Sequence, residues 1–394
     1  MILSDVCEFI VDCPHSTAPD EGKGYPLIRT PNVGKGRLDL NGVHRVSESV
    51  YKQRIQRGAP RANDLIFARE APAGNVALVQ ENQTVCLGQR TVLIRPNVQK
   101  VNPQYLVYYL LSPKPQYELL GTANGATVAH VNLPAIRNLK IELPEKSVQD
   151  KIGTILVTYD DLIENNQKQI KLLEEAAQRL YKEWFVDLNF PGHENTKIVD
   201  GVPEGWQWCK VRDVADINSS ALPKNYKEDF IDYVDLGSVR CGHIETRTRY
   251  NLNEAPGRAK RCAKDGDIIW GMVRPNLKAY ALVTNPKETD VFSTGFAVLS
   301  AKKVPYSYLY CAVTQEEFVG YLVNATNGAA YPAVKPVHFE VADILKPDDK
   351  VLEQFHSVAD SIYRKKEALE NQNHNLRESR DLLLPKLMNG EVEV

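Results

Sequence analysis

The chain has 394 residues, 43% of them apolar and 25% charged, with a formal net charge of -2. That length exceeds a single hydrophobic core and suits two domains with connecting elements, in the composition range of soluble globular proteins. No apolar run approaches 18 residues, so neither a spanning helix nor a signal peptide is expected. Seven cysteines without a C-x-x-C pair read as reduced thiols in the cytoplasm, and the eight histidines lack metal-ligand spacing.

The first globular stretch, residues 1–144, carries a modest surplus of basic residues. Short β-type runs at Tyr25 to Arg29, Asp64 to Ala68, Val76 to Val79 and Thr91 to Arg95 are separated by Gly, Pro and Asn. A helix is expected over Gln104 to Leu111, then a polar loop over Thr122 to Asn132 and a last strand over Asn138 to Leu143. Residues 145–187 read as one long acidic helix, with Ser147 as N-cap and Asp150 three residues on. Its seam steps by four and three through Ile152, Leu156, Tyr159, Ile163, Asn166, Ile170, Leu173, Ala177, Leu180 and Trp184, a coiled-coil pattern with one polar break. At about 1.5 Å per residue the stretch from Ile152 to Trp184 spans roughly 50 Å. After a linker at 188–202, residues 203–347 form a second globular stretch, with strands expected at Tyr233 to Leu236, Asp267 to Trp270, Tyr280 to Val283, Phe296 to Leu299 and Val341 to Leu345, and a loop over Ala325 to Ala330. A second helix fills 348–394, capped by Asp348 and Asp349 and breaking at Pro385.

The second half copies the first. At an offset of 203 Asn63-Asp64-Leu65-Ile66-Phe67 meets Gly266-Asp267-Ile268-Ile269-Trp270, and Asn124-Gly125-Ala126 meets Asn327-Gly328-Ala329. The offset drifts to 207 at Gly88 and Gly295, and to 208 where Leu3-Ser4-Asp5-Val6 meets Val211-Arg212-Asp213-Val214. The copied seam is Phe355, Ala359, Ile362, Lys366, Leu369, Asn373, Leu376, Arg380, Leu383 and Leu387. An antiparallel register sets Asn166 against Asn373, Trp184 against Phe355, and Tyr159 against Arg380 as a cation-π pair. Two buried amides then satisfy each other. The expected fold is α+β: two mixed α/β domains in tandem repeat, each followed by a long helix, the helices pairing as an antiparallel coiled coil with the domains at opposite ends.

Catalytic signatures are missing. No phosphate loop occurs, and Gly22-Lys23-Gly24 and Gly34-Lys35-Gly36 are turns. Pro347-Asp348-Asp349-Lys350 serves a helix start better than a nuclease metal site, and Asn189-Phe190-Pro191-Gly192 lacks the rest of an amino-methyltransferase motif. A binding protein without an active site or metal of its own is expected.

Pro203-Glu204-Gly205-Trp206 through Val214, Gly125-Ala126-Thr127-Val128-Ala129-His130-Val131-Asn132, and Ser379-Arg380-Asp381-Leu382-Leu383-Leu384-Pro385-Lys386-Leu387-Met388-Asn389-Gly390 resemble segments of the DNA specificity subunits of type I restriction-modification systems. The resemblance covers essentially the whole chain, although the first stretch lacks the Pro-Glu-Gly-Trp opening and Ala330-Tyr331-Pro332 departs from the first polar loop. It implies two target-recognition domains, each reading one half of an asymmetric bipartite site in double-stranded DNA, with the coiled coil setting their separation. The implied partners are two methyltransferase and two restriction subunits. These use S-adenosylmethionine, ATP and Mg, while this chain binds no cofactor. No membrane partner is implied.

Residues placed to touch DNA are His15, Arg69, Asn75, Gln89 and Arg90 in the first domain, and Arg274, Asn276 and Lys278 in the second. Arg suits guanine and Asn suits adenine, but each also suits a phosphate. Ile155, Leu162, Leu172 and Ala176 beside the first seam offer either a methyltransferase dock or a wider contact within the chain. Two other classes stand against this reading: a single-chain restriction or modification enzyme, and a coiled-coil scaffold without DNA readout.

Overall fold

Leu65-Ile66-Phe67-Ala68 is an unbroken apolar run, and all four residues are buried. A strand covered on both faces has this character. In this computed structural model, which describes residues 1–121, 130–326 and 332–394, that strand lies at the heart of the first of two units. The first unit is residues 1–167 with 371–394, the second residues 168–370.

In the first unit the strands are β1 (Cys7–Asp12), β2 (Tyr25–Ile28), β3 (Gly36–Arg37), β4 (Arg45–Val46), β5 (Leu65–Ala68), β6 (Val76–Leu78), β7 (Cys86–Leu87) and β8 (Thr91–Pro96). They form a five-stranded sheet ordered β1-β8-β5-β6-β3 and a three-stranded one ordered β4-β2-β7. The helices are α1 (Glu48–Arg54), α2 (Pro103–Leu111), α3 (Pro113–Gly121), α4 (Leu133–Arg137) and the first part of α5 (Lys146–Tyr181). Helix α2 starts where Pro103 needs no N–H partner and the Asn102 side chain accepts from Tyr105 N at 3.1 Å. Alternation along β5 divides the core. Leu65 and Phe67 face a cluster with α2 residues, Ile152, Leu156 and Leu387, whereas Ile66 and Ala68 face Ile28 and Leu87 of the smaller sheet.

The second unit repeats this plan. Its strands are β9 (Ile198–Val199), β10 (Val202–Pro203), β11 (Gln207–Lys210), β12 (Ala215–Ile217), β13 (Phe230–Val234), β14 (Val239–Arg240), β15 (His243–Ile244), β16 (Thr248–Asn251), β17 (Ala259–Arg261), β18 (Ile268–Gly271), β19 (Tyr280–Leu282), β20 (Asp290–Ser293), β21 (Phe296–Ala301) and β22 (Asp343–Lys346). The sheet order β12-β21-β18-β19 corresponds to β1-β8-β5-β6, and parallel β13 and β20 correspond to parallel β2 and β7. Helices α6 (Val211–Val214), α7 (Tyr306–Thr314), α8 (Glu316–Asn324) and α9 (Pro336–Glu340) follow, and α10 (Asp349–Met388) contributes its residues up to 370. Asp348 caps α10, its Oδ1 accepting from Lys350 N at 3.0 Å and Val351 N at 3.2 Å. Among the described residues no helix is long and apolar enough to cross a membrane.

Both long helices form, of 36 and 40 residues. Within the first unit Asn166 Nδ2 donates to Asn373 Oδ1 and to Gln372 Oε1, each at 3.0 Å. Within the second, the rings of Trp184 and Phe355 meet edge-on at 5.9 Å.

Several expectations need correction. Arg380 does not pair with Tyr159. Its guanidinium sits 2.5 Å from Asp160 Oδ1, a buried carboxylate whose other oxygen accepts from Tyr108 Oη at 2.6 Å, and a carboxylate outbids a ring for a half-buried cation. Ser147 lies inside α5, which begins at Lys146, and Asp150 accepts from Asn102 Nδ2 at 2.7 Å instead of joining a cap. Pro385 does not break α10, because Leu383, Leu384, Leu387 and Met388 around it are held by the first unit's core. Asn138 to Leu143 is no strand. Its one β-bridge is that of Lys140 with Ile2, too short a partner for a ladder, while Leu139 and Ile141 pack into the first unit's core. Thr91 pairs with Ala68 as Phe296 pairs with Gly271, so the offset there is 205 and Arg90, not Gly88, corresponds to Gly295. Helices α3 and α8 were not anticipated. The loops expected over Thr122 to Asn132 and Ala325 to Ala330, with the Asn124-Gly125-Ala126 match and the Ala330-Tyr331 departure, lie wholly or mostly outside the described residues.

Candidate nucleic-acid interface

Where β5 ends, its last buried residue Ala68 hands over to Arg69 and Glu70. The ladder continues one step, with Arg69 N donating to Arg90 O at 2.9 Å and Val131 N to Arg69 O at 2.9 Å. These bonds bring three separated pieces of chain together. Around them His15, Arg69, Glu70, Gln89, Arg90 and His130 line a cavity of about 280 Å³.

The side chains form a connected set. Arg69 is buried, with Nη1 2.7 Å from Asp12 Oδ2, Nε donating to Val131 O at 2.9 Å, and Nη2 2.8 Å from His130 Nε2. A guanidinium only donates, so His130 Nε2 accepts and its proton sits on Nδ1, which lies 2.5 Å from Glu70 Oε1. The other Glu70 oxygen holds Arg90 Nη1 at 2.6 Å. Arg90 is 62% exposed and His15 69%, whereas Asp12 and Glu70 are mostly covered. His15 Nε2 is 3.4 Å from Asp12 Oδ2, and its carbonyl accepts from Gln89 Nε2 at 2.9 Å. Two arginines and two carboxylates cancel. The cavity is polar without being cationic.

The structure thus brings together His15, Arg69, Gln89 and Arg90, and leaves Asn75 elsewhere, its Nδ2 donating to Val33 O at 2.8 Å. Sequence reasoning missed Asp12, Glu70 and His130. Glu70 follows Arg69 directly, but His130 is joined to it only by folding, and no spacing announces that.

In the second unit Met272 N donates to Gly295 O at 2.9 Å and Val334 N to Met272 O at 2.9 Å, the same two bonds. The side chains there are Met272, Val273, Gly295 and Ala333 in place of Arg69, Glu70, Arg90 and His130. Polar groups come instead from the turn after β18. Arg274 and Asn276 are exposed with no hydrogen-bond partner for their side chains among the described residues, and Lys278 pairs with Glu316. Arg274 and Lys278 both take left-handed backbone angles, φ 50° and 53°, which fold the turn tightly around Pro275.

Of the apolar residues beside the first seam, Leu162, Leu172 and Ala176 are exposed and Ile155 packs against the first unit's core. Ile152, Leu156, Ile163, Asn166, Ile170 and Ala177 are buried, as are Phe355, Ala359, Leu369, Asn373 and Leu387.

Residues 1–175 match the type I restriction modification DNA specificity domain. The chain is 27% identical to the type I restriction enzyme MjaIX specificity subunit of Methanocaldococcus jannaschii over 90% of its own length and 83% of that protein's. It is 21% identical to the HindI specificity subunit of Haemophilus influenzae, over 85% of this chain and 87% of the relative. The crystal structure of a type I restriction-modification S subunit from M. genitalium shares the fold, with a TM-score of 0.59 at 14% identity over 98% of this chain and 95% of the other. The chain is thus similar to DNA specificity subunits of type I restriction-modification systems, through a matching domain over residues 1–175 and through relatives aligned along most of its length, and it shares the fold of one such subunit.

Proposed function

We propose that this chain reads an asymmetric, two-part sequence in double-stranded DNA, with residues 1–144 as one recognition domain and 203–347 as the other. The single observation that carries this is the paired strand end. Two units built on the same backbone bonds present unlike side chains at the same place, Arg69, Glu70, Arg90 and His130 in one and Met272, Val273, Gly295 and Ala333 in the other. Unlike readers imply unlike half-sites. Arg90, Gln89 and His15 in the first unit, and Arg274, Asn276 and Lys278 in the second, are the groups with donors to offer DNA. Arg69 and Asn75 are spent inside the fold.

In the same reading residues 145–187 and 348–394 pair as an antiparallel coiled coil that sets the half-site separation. Support comes from the Asn166–Asn373 hydrogen bond and the Trp184–Phe355 contact, both falling in the expected register. Exposed Leu162, Leu172 and Ala176 suit docking of methyltransferase subunits, two in the expected assembly alongside two restriction subunits. Those partners would supply S-adenosylmethionine and ATP chemistry with Mg. A scaffold without readout gives no reason for the unlike strand ends.

The test is to express the chain with a methyltransferase subunit of its family and map modified adenines by long-read sequencing. Two unlike half-sites at a fixed separation are expected, about one helical turn apart. A single uninterrupted or palindromic motif would overturn the proposal.

A further inference from the structure

We propose that the Glu70–Arg90 pair reads one G·C base pair through the major groove, and that His130 positions Glu70 for this. The inference rests on the recognition role given above and adds to it the identity of the base pair.

Phosphate binding demands surplus positive charge, and counterion release gives it its energy. The cavity has no surplus. Asp12 offsets Arg69, and Glu70 offsets Arg90. A carboxylate 2.6 Å from the cation at the cavity mouth would repel a phosphate approaching Arg90. A base edge has the opposite requirement, a donor beside an acceptor. In the major groove guanine offers the acceptors O6 and N7, and its cytosine partner offers the N4 amino group as donor. Arg90 keeps Nε, Nη2 and the second Nη1 hydrogen for guanine. Each Glu70 oxygen, having accepted one hydrogen bond, retains a lone pair for the cytosine amino group.

The support behind the pair is arranged for a fixed reader. His130 Nδ1 fixes one Glu70 oxygen, while Arg69 fixes His130 through Nε2 and is itself locked by Asp12 and the Val131 carbonyl. Only Arg90 among these side chains is mostly exposed. Its backbone sits at φ 64°, where glycine would be less strained, so its side chain is kept at some cost. The second unit has Val273 and Gly295 here and cannot make this readout.

The full chain with its methyltransferase subunit, and the Arg90→Ala, Glu70→Gln and His130→Ala variants, would be profiled by adenine mapping and by binding to matched duplexes over a salt series. Discrimination for one G·C pair, in one half-site only, should fall about tenfold or more in Arg90→Ala and Glu70→Gln. The salt slope of binding should stay unchanged. His130→Ala should give a weaker loss at the same position, and His130→Gln, which can still donate to Glu70, should restore part of it. Arg90 is exposed, so its removal keeps the fold, which a thermal melt verifies. A uniform loss on all sequences with a salt slope shallower by about one would make Arg90 a phosphate contact and overturn the inference. So would an unaltered motif, or relaxation at an A·T pair. A wild-type complex without a two-part motif would instead overturn the recognition role itself.

Discussion

The end of β5 and the end of β18 are the same piece of backbone carrying opposite chemistry. In one, a buried arginine, a histidine and a carboxylate are threaded together. In the other, methionine, valine and alanine stand at the same steps while charge has moved a few residues on, to Arg274 and Lys278. The backbone bonds are satisfied by strand register alone. The side chains beyond Ala68 and Gly271 can therefore differ without altering the strand register, and a recognition surface placed there can diverge while the backbone beneath it does not.

If the supports are equivalent, the same deletion should hurt both. Phe67 and Trp270 hold one register position, paired with Val92 and Val76 in the first unit and with Ala297 and Tyr280 in the second, and both are fully buried. Replacing either by Ala should cost about 3–5 kcal/mol. Urea unfolding followed by circular dichroism measures it. Trp270 also donates from Nε1 to Val313 O at 3.0 Å, so its loss should be the larger of the two. A near-neutral Phe67→Ala would break the equivalence.

The next effect separates the two strand ends. Arg69→Met installs the second unit's residue in the first, and removes the donors to Asp12, His130 and Val131 O. A loss of about 1.5–3 kcal/mol is expected, the range for hydrogen bonds to a charged group. Thermal melts would check it. If the variant were as stable as the parent, Arg69 would not be the strut described here, and its donors would be available for DNA.

The difference in legibility follows the same line. Strands β5, β6, β8 and β18 were readable because burial on both faces leaves an apolar run, and the long helices because their seams repeat. The Asn166–Asn373 pair was readable because only one partner for each amide lies in register. Helices α3 and α8 escaped because α3 carries Pro113 and Pro115 in its first turn, and because each follows the preceding helix after a single residue. Pro385 misled because a local rule was overruled by burial of its neighbours. At the strand end Arg69, Gln89 and Arg90 are legible as residue types, but Glu70 and His130, which bond to each other and to these arginines, meet across some 60 residues of sequence. The bonding of Arg69 inside the fold, to Asp12, His130 and the Val131 carbonyl, has the same origin.

The smallest expected effect lies in the second unit alone and depends on pH. His243, at the turn between β14 and β15, faces Glu174 Oε1 at 3.3 Å and Glu370 Oε1 at 2.7 Å, while Lys366 Nζ donates to Gly242 O at 2.8 Å and lies 2.7 Å from Glu174 Oε1. Burial alone would lower the imidazolium pKa, and Lys366 pushes the same way, but the two carboxylates outweigh both and raise it to about 9. Burial likewise works to raise the Glu174 pKa, and His243 with Lys366 hold it below the usual carboxylate range. Below the unfolded histidine value near 6.5 the ring is charged in both states, so its pairing contributes in full. As pH rises from there through about 9, the unfolded chain sheds the proton first, and the stabilisation declines until the folded ring is neutral too. His243→Gln should therefore melt below the parent at pH 6, with the gap closing above pH 9. The side chain is about one-third exposed, so screening keeps the gap small. The first unit's clamp, Asp160 with Arg380 and Tyr108, contains no histidine, and Arg380→Met should lower stability by an amount that stays level between pH 6 and 9. A gap for His243→Gln equally level across that range would show that the turn is held by packing and by the Lys366 bond, with the imidazolium adding nothing.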